Sequence, residues 1–316
     1  PKVAVALSGG VDSAVAAARL VEQDISVIGI TLQLRGDEDG TAVPTPLAVE
    51  LARSVSQALD MPFYLVDARD AFQRDIVDYF VAEYRAGRTP NPCVRCNRLI
   101  RFGLLLEHGM ALGAETLATG HYARIRKVNG AYQLLRGNDS RKDQSYFLHR
   151  LDHEQLARAR FPLGRLTKEE VRGLADELSL PVAEQAESQD VCFLMEGDYR
   201  TFLAHQAPDA MQPGPIRDTH GRLLGEHRGL AAYTIGQRKG LNISAPEPLY
   251  VLTIKPEENA IIVGGADELG RDHCTVENMH YISGDIPAAL FRAEAQIRYR
   301  ARPASVTVNP MPGKLA

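Results

Sequence analysis

At 316 residues, with 45% hydrophobic and 24% charged side chains, the chain has a globular composition and is long enough for two domains or three small ones. No apolar run is long enough to span a bilayer and no signal-peptide pattern opens the sequence, which excludes a helical membrane protein. A net charge of −4 argues against a surface coated in nucleic acid while leaving local basic patches open. Four cysteines are too few for a disulfide framework; they point to a reducing cytoplasm, where clustered cysteines serve metal binding or catalysis.

Residues 2–7, KVAVAL, are a short β-branched apolar run and predict a buried strand. The loop SGGVDS follows at 8–13, then an alanine-rich helix. Residues 25–34 predict a second strand, 47–60 a helix, 62–68 a third strand, and 70–86 an amphipathic helix ending near Gly87. Next comes TPNPCVRCN, with two cysteines three positions apart. Pro90 and Pro92 should keep this loop extended and bias residue 91 away from helix. A helix from about Leu99 to Gly113 and a strand over TLATGHYARI, 116–125, close the series. Strand and helix alternate throughout, which predicts an α/β unit with a parallel sheet covered on both faces.

The texture changes after about residue 195. Residues 213–241 are rich in Gly and Pro, and 249–265 read as a hairpin with its turn near PEEN. Residues 292–308 alternate like a strand, which would put Arg298, Arg300 and Arg302 on one face and Tyr299 on the other. This half is expected to be mostly β. The expected boundaries are 1–197 for the α/β domain, 198–266 for a small β-rich domain and 267–316 for part of a third.

Ser8-Gly9-Gly10-Val11-Asp12-Ser13 lies between the first strand and the first helix. Glycines there turn backbone N–H groups towards a ligand, and the helix N-terminus adds positive partial charge. No Gly-Lys-Ser/Thr follows, so it is not a Walker A loop, and it does not fit G-x-G-x-x-G. Small hydroxyls around an acid suit a polyphosphate with a divalent ion, Mg²⁺, near Asp12. The alternative is a glycine turn with a capping Ser or Asp. Five arginines and no acid lie between Tyr84 and Phe102, and six basic residues and one acid between His121 and Lys142. Such stretches can track a phosphate backbone or form an ordinary solvated face.

The hexapeptide resembles the loop of the ATP pyrophosphatase (PP-loop) superfamily, whose adenine nucleotide alpha hydrolase-like fold cleaves ATP between the α and β phosphates. Together TPNPCVRCN, ATGHYAR, KDQSYFL, SQDVCFL, YTIGQRKG and IRYRAR resemble the tRNA-specific 2-thiouridylases, in order and over nearly the whole chain. The resemblance implies adenylation of the 2-carbonyl of a wobble uridine in tRNA, then sulfur transfer from a cysteine persulfide loaded by a protein sulfur donor, a persulfide relay or cysteine desulfurase. It implies Cys96 as nucleophile, helped by Arg95 and Arg98, and Cys192 as the persulfide carrier. By the same resemblance Ala6, Leu7, Ser8, Gly9, Gly10, Val11, Asp12, Ser13, Leu32 and Gly120 contact ATP. Asn91, Pro92, Cys93, His121, Lys142, Asp143, Gln144, Arg298 and Tyr299 contact tRNA, with residues 91–93 lining the pocket for a splayed-out base. Many members carry Asp where this chain has Cys93, so Cys93 is expected to be dispensable. Members continue into strands that complete a C-terminal β-barrel, of which this chain is expected to hold only part.

Three readings stay open on the residues alone. The first is thiolation. The second is an ATP-dependent ligase with an amine nucleophile, resembling argininosuccinate or lysidine synthetases, which leaves the cysteines without a task. The third is an RNA-binding module in which Cys93, Cys96 and Cys192 hold zinc or an iron–sulfur cluster. Read without its neighbours, Cys192 in VCFL is a buried apolar cysteine, His121 a structural histidine, and Cys274 an ordinary thiol.

Overall fold

A computed structural model describes residues 1–36, 43–186, 191–194 and 198–311. Ser188, Gln189 and Asp190 of the SQDVCFL motif lie outside these residues. The chain forms two compact units, each discontinuous in sequence. One comprises residues 1–69, 93–187 and 276–316; the other comprises 70–92 and 188–275.

The first unit holds strands β1 (Lys2–Ala6), β2 (Ser26–Gln33), β3 (Phe63–Asp67) and β4 (Thr116–Ala118). An antiparallel pair follows, β5 (Ala123–Val128) and β6 (Ala131–Arg136), then the two-residue β7 (Ala159–Arg160). The main sheet is parallel in the order β3-β2-β1-β4-β7, as the alternation of elements predicts. Central β1 buries Val3, Ala4 and Val5 almost completely, the unbroken apolar run expected of a strand covered on both faces. The helix Val11–Val21 buries Ala14, Ala16, Ala17 and Ala18, and these small side chains let it lie close to the sheet. Val15, Val55, Val171 and Val182 complete the core around it. From β1 the chain steps outward through β2 to β3, then returns to the far side of β1 for β4. The chain therefore leaves β1 and β4 towards opposite edges of the sheet, and an open parallel sheet takes its ligands at such a reversal.

Three segments differ from the sequence reading. Cys93 and Cys96 do not lie in an extended loop. Helix begins at Pro92 and runs without a break to residue 111, with a π-helical stretch at Asn97–Leu105. Residue 91 stays outside the helix as expected. Pro92, however, occupies the first helical position, where its missing N–H costs nothing and its fixed φ suits the helix. TLATGHYARI is not one strand: it supplies β4 and β5 in different sheets, joined by residues 119–122. Residues 292–308 are not one strand either. They contribute to the hairpin β12 (Phe291–Ala295) and β13 (Ala304–Val308). The chain reverses between them, with Arg300 at φ 65°. Arg298, Tyr299, Arg300 and Arg302 thus sit in the connecting loop, not on a strand face.

The second unit is built on a sheet of β8 (Gly214–Arg217), β9 (Leu223–His227), β10 (Tyr250–Lys255) and β11 (Ala260–Gly264), in the order β10-β11-β8-β9. β10 and β11 form the expected hairpin, and the turn at Pro256–Glu258 ends on Asn259 in the left-handed region. Ile216, Val251, Ile261 and Val263 fill its core. Residues 70–85, predicted as a helix, are helical and belong to this unit. Among the described residues no helix is long and apolar enough to cross a membrane.

Candidate active site

The glycine loop leaves the end of β1 and enters the helix Val11–Val21 with Gly10 as the N-cap, which offers no side-chain cap. Ser13 closes the loop on itself. Its Oγ accepts from the Ser8 N–H (3.2 Å), donates to the Gly10 carbonyl (3.0 Å) and lies 3.2 Å from the Ser8 hydroxyl. Gly9 adopts φ +78°, and a Cβ there would stand only 2.4 Å from the Ala48 carbonyl oxygen, so this turn admits only glycine. Across the reversal, Gly120 follows β4. A Cβ on Gly120 would come within 2.7 Å of the Asp12 carbonyl carbon and 2.9 Å of the Ser13 nitrogen. Leu32, near the end of β2, is buried. The residues predicted to contact ATP therefore lie along the ends of β1, β2 and β4 and on the first turn of one helix.

Asp12 is the hub of a polar chain. Its Oδ1 accepts the Tyr122 hydroxyl at 2.8 Å and the Lys168 ammonium at 2.6 Å. Lys168 is only 7% exposed, whereas the Asp12 side chain keeps 36% of its surface. Gln144 holds Tyr122 from two sides: its side chain accepts the Tyr122 N–H (3.0 Å), and its own N–H donates to the Tyr122 carbonyl (2.9 Å). Asp143 accepts from the N–H groups of Gly137 and Ser145 and from the Ser145 hydroxyl. Asp143 and Gln144, predicted to touch tRNA, also shape the loop behind Tyr122. Lys142, their neighbour, is half-buried. Sequence reasoning missed Tyr122 and Lys168. Tyr122 lies inside the ATGHYAR motif, while Lys168 lies in TKEE, which reads only as a helix start.

His121 is buried beside Phe102 and Phe161, with Nδ1 2.7 Å from the Thr119 hydroxyl. Burial, aided by the Arg101 charge, pushes its pKa down to about 3. It is a neutral wall of the site at physiological pH, not a cation.

In the helix that begins at Pro92, Cys93 is half-buried and Cys96 is 6% exposed. The wider π turns after Cys96 disturb the usual backbone ladder. Gln155 compensates by donating its amide to the carbonyls of Arg98 (2.8 Å) and Phe102 (3.0 Å). Buried Asn97 is held by its own donation to the Phe147 carbonyl (3.1 Å) and by Arg101 (2.9 Å). Phe147 in turn packs on Tyr299 with ring centroids 4.5 Å apart, and the Arg300 guanidinium lies 5.4 Å from the Tyr299 ring. Arg298 is exposed. Tyr299 is therefore a surface aromatic partnered by an arginine, not a core residue.

Asn91, Pro92 and Cys192 belong to the second unit. Asn91 is half-buried and Pro92 buried. Cys192 is exposed, but the next residue, Phe193, is only 1% exposed. Its ring meets Phe72 at 5.7 Å, Phe80 at 5.3 Å and Phe202 at 5.4 Å, all edge to face. The phenylalanine anchors the segment that presents the thiol, so Cys192 is not the apolar core cysteine its neighbours suggested. Cys274 is exposed as well. Among the described residues no group of three or more His, Cys, Asp or Glu side chains is arranged to hold a metal ion.

Comparison with known proteins agrees over both units. The family profile described as tRNA methyl transferase HUP domain matches residues 1–196, and the tRNA methyl transferase PRC-barrel domain matches residues 200–265. The chain is similar to tRNA-specific 2-thiouridylase MnmA of Moorella thermoacetica, with 48% identity across 98% of this chain and 88% of that protein. The proteins of the same name from Magnetococcus marinus and Clostridium perfringens are 46% and 41% identical over the same shares. The profile descriptions speak of methyl transfer and the relatives' names of thiolation. The relatives weigh more, because each match runs through 98% of the chain rather than one segment.

Proposed function

This chain belongs to the tRNA-specific 2-thiouridylase family, and on that premise we propose that it replaces the 2-oxygen of a wobble uridine in tRNA with sulfur, at the expense of ATP. The observation that carries the reading is the meeting of the glycine loop with Gly120 at the reversal between β1 and β4. Backbone N–H groups of Gly9, Gly10 and the first helical turn suit phosphate oxygens. The absent Cβ of Gly120 keeps Asp12 and Ser13 close. Ala6, Leu7 and Leu32, at the ends of β1 and β2, are assigned to the adenosine. The Asp12 carboxylate is a hard oxygen ligand of the kind Mg²⁺ takes; when bound, the ion offsets polyphosphate charge. Cys93, Asn91 and Pro92 form the approach of the base, with Lys142, Arg298 and Tyr299 on the RNA. His121, Asp143 and Gln144 line the same side and complete the tRNA contacts.

In the proposed reaction the uridine O2 attacks the α-phosphorus and pyrophosphate leaves, which turns a poor leaving oxygen into AMP. Cys192 receives a persulfide from a protein sulfur donor. The Cys96 thiolate attacks the inner sulfur of that persulfide, forming a Cys96–Cys192 disulfide and releasing hydrosulfide. Hydrosulfide adds at C2, AMP departs, and a thiol reductant restores both cysteines. Direct attack by the persulfide sulfur is the shorter alternative. The two cysteines lie in different compact units. Cys96→Ser and Cys192→Ser should each abolish 2-thiouridine while tRNA-dependent pyrophosphate release persists. Cys93→Asp should keep substantial activity. If Cys93→Asp is as inactive as Cys96→Ser, the nucleophile has been misassigned. If anaerobically purified protein carries stoichiometric iron that Cys93→Asp removes, the pair is a cluster clip.

A further inference from the structure

The loop that would hold the phosphates carries no lysine of its own, yet a lysine reaches it from 156 positions later in the chain. Lys168 opens the helix Lys168–Glu177 behind the N-cap Thr167. Local rules disfavour it there. A cation sits badly at the positive end of a helix dipole, and burying an ammonium strips it of hydration that its partner must replace. The fold nevertheless fixes this residue at both ends. Its backbone N–H donates to Asp139 Oδ2 at 3.1 Å, and its ammonium donates to Asp12 Oδ1 at 2.6 Å. Asp139 is itself buried and fastened by the Arg141 N–H at 3.0 Å. Burial alone would raise the pKa of Asp139; the N–H groups of Lys168, Arg141 and Lys142 outweigh it and hold the carboxylate below its ordinary value. A position that breaks local rules yet is held this firmly marks function more often than stability.

We propose that Lys168 is a catalytic residue of the adenylation step, supplying to the phosphoryl oxygens the positive charge that the glycine loop lacks. The proposal rests on the adenylation reading above. In that step a bond forms between the uridine O2 and the α-phosphorus. The bond from that phosphorus to the bridging oxygen breaks, pyrophosphate leaves with the electron pair, and the N3 proton passes to solvent. Negative charge grows on the bridging and equatorial oxygens. A preorganised ammonium in a site of low dielectric favours that charge without having to reorganise. In the resting state Asp12 holds the ammonium at the loop, and the partial exposure of Asp12 leaves room for the exchange of partners.

The competing role is structural: Lys168 would only pin Asp12. Two measurements separate the two roles. In single turnover with saturating tRNA and ATP, Lys168→Met should lower AMP formation by about 100-fold or more, leave the Kd for tRNA unchanged, and recover in part as Lys168→Arg. AMP formation at the wild-type rate would overturn the proposal. To avoid an unpaired buried charge, the second comparison uses Asp12→Asn and the double variant Asp12→Asn/Lys168→Met. ATP affinity is read by equilibrium dialysis in EDTA. A lysine that contacts phosphate makes the double variant about tenfold weaker than Asp12→Asn alone; equal affinities would overturn the proposal. Wild-type protein that yields ADP rather than AMP would instead sink the adenylation reading itself.

Discussion

Replacing Gly120 with alanine adds one methyl group where the fold has no space for it. The new Cβ would lie 2.7 Å from the Asp12 carbonyl carbon, 2.9 Å from the Asp12 Cβ and 2.9 Å from the Ser13 nitrogen. Two of those three atoms are main chain, so no rotamer change relieves the contact. Carbon atoms pack comfortably at about 3.5–4.0 Å, which means the two loops must part by roughly 1 Å. Overpacking of this kind costs about 1–3 kcal/mol. For a domain of about 150–250 residues, 2 kcal/mol corresponds to roughly 4–8 °C in Tm. The effect on rate should be larger than that on stability, because a misplacement of about 1 Å in a positioned site costs on the order of 100-fold. Thermal melting and single-turnover AMP formation at saturating ATP, on the same preparation, measure both. A Gly120→Ala protein that melts within about 2 °C of wild type and makes AMP at the wild-type rate would show that the loops after β1 and β4 do not close on each other as described.

His121 should set part of the acid sensitivity. Its folded pKa of about 3 lies below the ordinary histidine value, so the unfolded chain binds the extra proton first. Its contribution is complete above about pH 6.5 and falls as the pH drops towards 3, with a limiting slope of about 1.4 kcal/mol per pH unit. His121→Phe should flatten the Tm-against-pH curve between about pH 6.5 and 4.5; an identical curve would mean the imidazole titrates normally. Phe193→Leu should lower 2-thiouridine yield while leaving tRNA-dependent pyrophosphate release untouched, because the ring anchors the segment of Cys192 and lies in the other unit from the glycine loop. Equal losses of both products, by nucleoside chromatography and a pyrophosphate assay, would mean that Phe193 supports the whole molecule.

What could be read from the sequence followed the range of the forces involved. β1, the glycine loop and the alanine-rich helix were legible because each is specified by its own residues. The hairpin at PEEN was legible for the same reason. Pro92 misled because the same fixed φ that stiffens a loop also starts a helix, and a one-dimensional reading cannot tell which side the chain continues on. The alternation of 292–308 was real, but Arg300 in the left-handed region reversed the chain, and nothing in a period-two pattern announces such a turn at an arginine. Lys168 could not have been found by motif, since its meaning lies in a contact with Asp12 from 156 positions away. Asp143 and Gln144 also bond main-chain groups of Gly137, Ser145 and Tyr122, contacts that no motif records.

The central claim is that this protein puts sulfur on tRNA. Its most direct test incubates unmodified tRNA with the purified protein, ATP, Mg²⁺ and a persulfide donor, then digests the RNA and measures the nucleosides by mass spectrometry. A uridine at the wobble position should gain the mass of one oxygen-to-sulfur exchange, only when ATP is present and not with Cys96→Ser. Uridine that is unchanged, or that gains a methyl group instead, would contradict it.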